Sequence, residues 1–122
     1  MESYILVALG GAIGSVGRFG ISQIFSSKAP TSFPWATLLI NLVGCLLIGL
    51  IVGLAERYQV SSRSLRCFFI VGICGGFTTF SAFSLEALNL FQASQNIQAI
   101  AYVLISIVLG LALTFCGYSL MK

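Results

Sequence analysis

Residues 72–86 read G-I-C-G-G-F-T-T-F-S-A-F-S-L-E, and the reading of this stretch decides the fold. It lies in an apolar segment of spanning length, yet it carries residues that a lipid-facing helix does not need. Gly72, Gly75 and Gly76 loosen a helix, because glycine leaves the backbone unrestricted. Thr78, Thr79, Ser81 and Ser84 bring hydroxyls to membrane depth. Phe77, Phe80 and Phe83 recur every third residue and lie near one another on a helical surface. Irregular backbone at that depth is tolerated only where protein or a water-filled cavity surrounds it. Bare carbonyls at a helix break are one way membrane proteins build ion sites. The stretch therefore predicts a third span broken near its glycines. The plainer alternative is a glycine-rich packing helix with aromatic filler, since small residues and hydroxyls also join helices.

The rest of the chain belongs in a bilayer. Of its 122 residues, 58% are hydrophobic and 7% are charged, against about 25% charged in soluble domains. At about 20 apolar residues per span, the length predicts an all-α integral membrane protein with four transmembrane helices in one domain, residues 1–122. The spans are placed at about 4–25, 35–55, 65–91 and 98–118. The first apolar run has no basic lead-in, is too long for a signal-peptide core and contains an arginine, so no cleavable signal is expected. The net charge of +3 is small and scattered, which speaks against nucleic acid as a partner. Cys45, Cys67, Cys74 and Cys116 form no C-x-x-C pair and read as small hydrophobes, not a disulfide framework. Histidine is absent, and the acids are Glu2, Glu56 and Glu86. Without the usual zinc ligand and general base, an enzyme is not expected.

Span 1 has a nearly bare flank of Gly10, Gly11, Gly14, Gly17 and Gly20, and Gly10 with Gly14 forms a G-x-x-x-G pair that permits close helix approach. Arg18 is the anomaly, since a charge at the bilayer centre costs about 2.5–3.5 kcal/mol on insertion scales. Either its stem snorkels outward, or it faces inward to carbonyls, a vestibule or a partner subunit. Pro30 and Pro34 stop helix propagation in the loop 26–34. Pro34 suits the first turn of the next helix, and Trp35 suits an interfacial anchor. In span 2, Thr37, Asn41, Cys45, Gly49 and Gly53 share one face. Asn41 must face protein or water there, as an interhelical hydrogen bond or as a donor to a pathway. Span 3, at roughly 27 residues, is long for one straight helix, which suits an interruption. In span 4, Tyr102, Ser106, Gly110, Thr114 and Tyr118 form a second polar stripe. Each stripe alone fits helix glue; together with a hydroxyl-rich broken helix they fit a polar pathway.

Three runs carry a resemblance: G-G-A-I-G-S-V-G-R-F at 10–19, W-A-T-L-L-I-N-L-V-G at 35–44, and G-G-F-T-T-F-S-A-F-S-L-E at 75–86. They resemble the Fluc/CrcB fluoride channels, and the match extends over essentially the whole chain. The resemblance implies passive export of fluoride that relieves its toxicity, in a lipid-embedded multi-pass protein of a bacterial inner or plasma membrane. It implies an antiparallel dimer of oppositely inserted subunits, either a homodimer or a pair with a homologous chain. It implies that Phe80 and Phe83 line the fluoride path and that Asn41 donates to the ion. Thr37, Ser81 and Ser106, with Tyr102, resemble a polar track, and Glu86 resembles an acid near one pore mouth. Backbone carbonyls of Gly75 and Thr78 resemble the ligands of a central sodium ion. Arg18, Gly10 and Gly14 fall to structure or interface. Two departures stand out: Ala82 lacks the threonine of many members, and Gly110 shortens the span 4 track.

The chemistry agrees with that resemblance. Fluoride holds its water tightly, so a pore must replace that shell with donors. Asparagine and hydroxyl side chains donate without fixed charge, and aromatic ring edges are partly positive. Such a lining selects an anion without holding it as an arginine or lysine ring would. The competing reading is a small multidrug-type proton antiporter, which needs a carboxylate deep in span 1; span 1 has none beyond Glu2. A third reading is a non-transporting assembly subunit whose stripes are glue alone. Arg57, Arg63, Arg66 and Lys122 share the side of the termini, against Lys28, plus Arg18 if it snorkels. That bias favours termini in the cytoplasm and argues with dual insertion.

Overall fold

The computed structural model describes residues 1–28 and 33–122; the helix stop expected at Pro30 and the side chain of Lys28 lie outside the described residues. Helix α1 is Glu2–Lys28 and α2 is Trp35–Arg57. Helix α3 covers residues 63–77, α4 is Phe80–Gln92 and α5 is Asn96–Met121. Helices α3 and α4 are two parts of one span, so four segments are long and apolar enough to cross a membrane, with no strand among the described residues. The helices run a few residues past the hydropathic bounds, because hydrogen-bonded backbone continues into the polar interface. Pro34 precedes α2 instead of opening it, and its carbonyl accepts the Leu38 N–H at 3.1 Å.

The third span is broken, but not at its glycines. No glycine among the described residues has a positive φ, and Gly72, Gly75 and Gly76 are all helical. The break is at Thr78 (φ −84, ψ 156) and Thr79 (φ −150, ψ 122), which are extended. The glycines serve contact instead. A Cβ on Gly72 would come within 3.0 Å of the Gly10 Cα, and one on Gly76 within 3.0 Å of the Gly11 carbonyl oxygen. From the other side, a Cβ on Gly10 or Gly14 would strike the Phe68 or Ile73 carbonyl oxygen. Gly10 and Gly14 therefore pack α1 against α3 within the subunit. Lipid supplies no hydrophobic drive between helices, so association depends on this kind of close backbone packing. Residues Arg66–Cys74 of α3 are π-helical, and the Gly75 N–H reaches back to the Ile70 carbonyl.

Helices α2 and α5 meet the same way. Cβ atoms on Gly49 and Gly53 would strike the Thr114 and Tyr118 carbonyls, and one on Gly117 the Leu46 carbonyl. Thr114 Oγ1 donates to the Cys45 carbonyl at 3.1 Å. The halves of both polar stripes nearer the termini are thus helix glue, and only the halves nearer the 92–97 turn remain available to a site. There Tyr102 is fully buried, with Leu38, Leu90 and Ala99 close by. Large apolar residues such as Val16, Phe115 and Leu120 stay exposed, as a bilayer permits.

The glycine contacts rank two substitutions. Gly14→Ala forces backbone apart and is expected to cost about 1–3 kcal/mol, seen as a lower melting temperature in detergent. Gly20 has open space around it, so Gly20→Ala leaves the melting temperature unchanged or raises it.

Candidate functional site

The break exposes backbone groups that a helix would satisfy, and three neighbours take them up. Asn41 on α2 closes a reciprocal pair with Thr79: the Thr79 N–H donates to Asn41 Oδ1 at 2.9 Å, and Asn41 Nδ2 donates to the Thr79 carbonyl at 3.1 Å. Thr79 also caps α4, its Oγ1 accepting the Ala82 N–H at 3.1 Å, as N-terminal threonines do. Thr78 Oγ1 turns back and donates to the Cys74 carbonyl at 2.8 Å. On the α1 side, Arg18 Nε and Ser15 Oγ donate to the Gly76 carbonyl at 3.3 and 3.5 Å. Arg18 therefore faces inward and does not snorkel.

An open cleft of about 380 Å³ lies beside the break. Asn41, Thr78, Thr79, Phe80, Phe83 and Ser106 line it, with Gly75 at its rim. The Ser106 hydroxyl is buried without a partner among the described residues, in a structure where such groups are few. Asn41 is not the free donor that was expected, since one amide proton and its oxygen belong to Thr79. The residue also lines the cleft. Phe80 is 79% exposed and its ring lies 5.5 Å from that of Phe83, which in turn lies 5.2 Å from the Tyr102 ring.

Glu86 forms a second cluster. Thr37 Oγ1 donates to Glu86 Oε1 at 2.8 Å, and the Tyr102 hydroxyl donates to Oε2 at 3.1 Å. Glu86 and Thr37 also line a polar depression of about 190 Å³ near Trp35, where α1 and α2 adjoin. The Phe83–Tyr102 contact joins this cluster to the cleft. Three expected residues stand apart from both. Ser81 is exposed, its hydroxyl 3.2 Å from that of Thr79; Gly10 and Gly14 lie against α3. Sequence reasoning passed over Thr79, Ser15 and Gly76 as site residues. For Thr79 a signal existed, since a threonine just before an apolar-periodic helix is a start mark.

These features can be set beside known proteins. Residues 5–118 match the family model described as CrcB-like protein, Camphor Resistance (CrcB). The chain belongs to the CrcB family. A relative from Flavobacterium psychrophilum, named fluoride-specific ion channel FluC, is 43% identical over 122 residues, covering 100% of this chain and 98% of its own. Another of that name, from Thermus thermophilus, is 45% identical over 120 residues, covering 98% and 95%. As a CrcB-family chain with four apolar spans, this is a multi-pass protein of the bacterial cell membrane and not an enzyme.

Asn41→Ala leaves the Thr79 N–H and carbonyl unpaired, at about 1–3 kcal/mol for each group left buried. A lower melting temperature and faster hydrogen exchange at Thr79 are expected. Asn41→Asp keeps an acceptor for the Thr79 N–H but sets a carboxylate oxygen against the Thr79 carbonyl, so its melting temperature falls as well.

Proposed function

We propose that this chain is a fluoride-selective channel that passively exports the ion across the membrane. The observation that carries the reading is the cleft at the break, where donors without fixed charge meet aromatic rings beside a hydrogen-bonded helix interruption. Its full-length relatives, named as fluoride channels, support the same reading. The second amide proton of Asn41 and the Ser106 hydroxyl replace water around the anion. The edges of Phe80 and Phe83 add partial positive charge. Thr37 and Tyr102 point their protons at Glu86, so they serve an anion only by exchanging that bond. Ser81 lies beyond the break, on the exposed side that a second subunit would cover.

The cleft is open and Phe80 on its lining is largely exposed, so one subunit makes half a pathway. An antiparallel pair, of this chain or of this chain with a homologue, supplies the other half. Its contact face is the cleft side of α2, α3 and α4, because Gly10 and Gly14 of α1 are already occupied by α3. The same pairing suits a central sodium ion. Thr79 N–H has turned from the Gly75 carbonyl to Asn41, which frees that oxygen, and a hard cation takes oxygen ligands. The Gly75 and Thr78 carbonyls of two copies would hold it, and the ion would supply a fixed positive charge between the subunits. The antiporter reading lacks its carboxylate: Glu2 lies at the chain end and accepts from Ser64 Oγ at 3.2 Å.

Two measurements test this function. Proteoliposomes loaded with fluoride release it down its gradient without a proton gradient, and release chloride far more slowly, as read with ion-selective electrodes. Folded protein that retains fluoride like empty vesicles would sink the reading, and would favour an assembly subunit. For orientation, Arg57, Arg63, Arg66 and Lys122 oppose Lys28 alone, now that Arg18 is engaged at Gly76. In a cysteine-free chain that alone restores fluoride efflux, single cysteines at Ser62 and Gln95 are each labelled from both faces of intact cells. One-sided labelling in such cells rules out the antiparallel homodimer.

A further inference from the structure

The channel reading leaves Arg18 without a task, and the role inferred for it here rests on that reading. Helix α3 ends at Phe77 and α4 begins at Phe80, so two helix ends of opposite polarity meet at the break. The C-terminal end of α3 carries about half a negative charge and the N-terminal end of α4 about half a positive one. Left alone, the two nearly cancel, and an anion gains little from the backbone there.

Arg18 changes that balance. Its Nε lies 3.3 Å from the Gly76 carbonyl oxygen, at the negative end. The seat is built by α1, which runs so close that a Cβ on Gly14 would fall within 3.0 Å of the Phe77 nitrogen. Ser15 supports the same carbonyl. No carboxylate among the described residues neutralises the guanidinium. Glu2, Glu56 and Glu86 are instead hydrogen-bonded to Ser64, Tyr118, and Thr37 with Tyr102.

We infer that Arg18 sets the sign of the field at the break: it cancels the negative end of α3 and leaves the positive end of α4, beside Phe80 and Ser81, to act on the passing anion. Arg18 is thus a positioning residue that governs ion affinity through the helix ends. A cation set behind the backbone draws an anion in without lining the path, where it would hold the ion too strongly to release it.

The test compares R18Q, which keeps a donor but removes the charge, with R18K, which keeps the charge but removes the guanidinium. Flux is measured in proteoliposomes against fluoride concentration. R18Q raises the half-maximal concentration about tenfold, in the range of charge effects at partly buried helix ends, while R18K stays within about threefold of wild type. Melting temperatures of both variants stay close to wild type. An unchanged half-maximal concentration in R18Q, with the wild type conducting, overturns this inference alone. Equal loss of maximal flux in both variants at unchanged half-saturation makes Arg18 a structural prop and overturns it too. If R18Q does not assemble, R18K decides: half-saturation near wild type supports the inference, and a tenfold rise overturns it. A wild-type chain that passes no fluoride overturns the channel reading and this inference together.

Discussion

Everything near the centre of this membrane protein depends on one reciprocal pair of hydrogen bonds, between the Asn41 side chain and the backbone of Thr79. A broken helix in a bilayer leaves polar groups that water is not there to satisfy. An amide side chain offers a donor and an acceptor at the spacing of a peptide group, so it replaces a missing turn of helix. With Asn41 in place, the chain can run extended for two residues and start a new helix on the Thr79 cap. Without it, the same sequence would do better to stay helical. The extended step turns Phe80 outward and leaves the Gly75 carbonyl outside the helical ladder.

That clamp works because the helices around it are held rigidly by close backbone packing. Helix α1 reaches Gly76 only because Gly10, Gly14, Gly72 and Gly76 lack side chains where the two backbones meet. Helices α2 and α5 are drawn together at Gly49, Gly53 and Gly117 by the same means. The two polar stripes then divide. Toward the termini they are filled by backbone contact and by Thr114, and toward the 92–97 turn they open around Ser106, Tyr102 and Glu86. A single stripe of small and polar residues is thus both adhesive and site along its length.

Much of this was legible in the sequence. Four spans follow from hydropathy and length, and a break in the third follows from a long span rich in hydroxyls. The break lies near the glycines, as the sequence suggests, but its exact residues were not legible, because glycine in a membrane helix has two uses. It permits unusual backbone and it permits contact, and composition alone does not separate them. Here Gly72, Gly75 and Gly76 remain helical, while two β-branched threonines, comfortable in extended backbone, take the break. The π-helical turns at Arg66–Cys74 left no mark in the pattern. Of the two readings of Asn41, the interhelical bond is seen directly, and the donor reading belongs to the proposed pathway. Gly10 and Gly14 fell to structure or interface in the sequence because a bare flank fits any close neighbour, and here they meet the chain's own third span.

The remaining constraint concerns the open face. Gly75 is exposed beside the cleft, with Thr78, Thr79 and the buried Ser106 hydroxyl close by. Bare carbonyls and hydroxyls at this depth cost several kcal/mol each against hydrocarbon. Lipid is therefore the one surrounding that this face does not suit. Water suits it, and so does a second protein surface with its own donors and cations. The polar break is stitched on two sides and bare on the third, and the partner proposed above, carrying the same break, would cover it. The two demands, cover for exposed backbone and a lined route for an ion, then fall on the same face of the molecule.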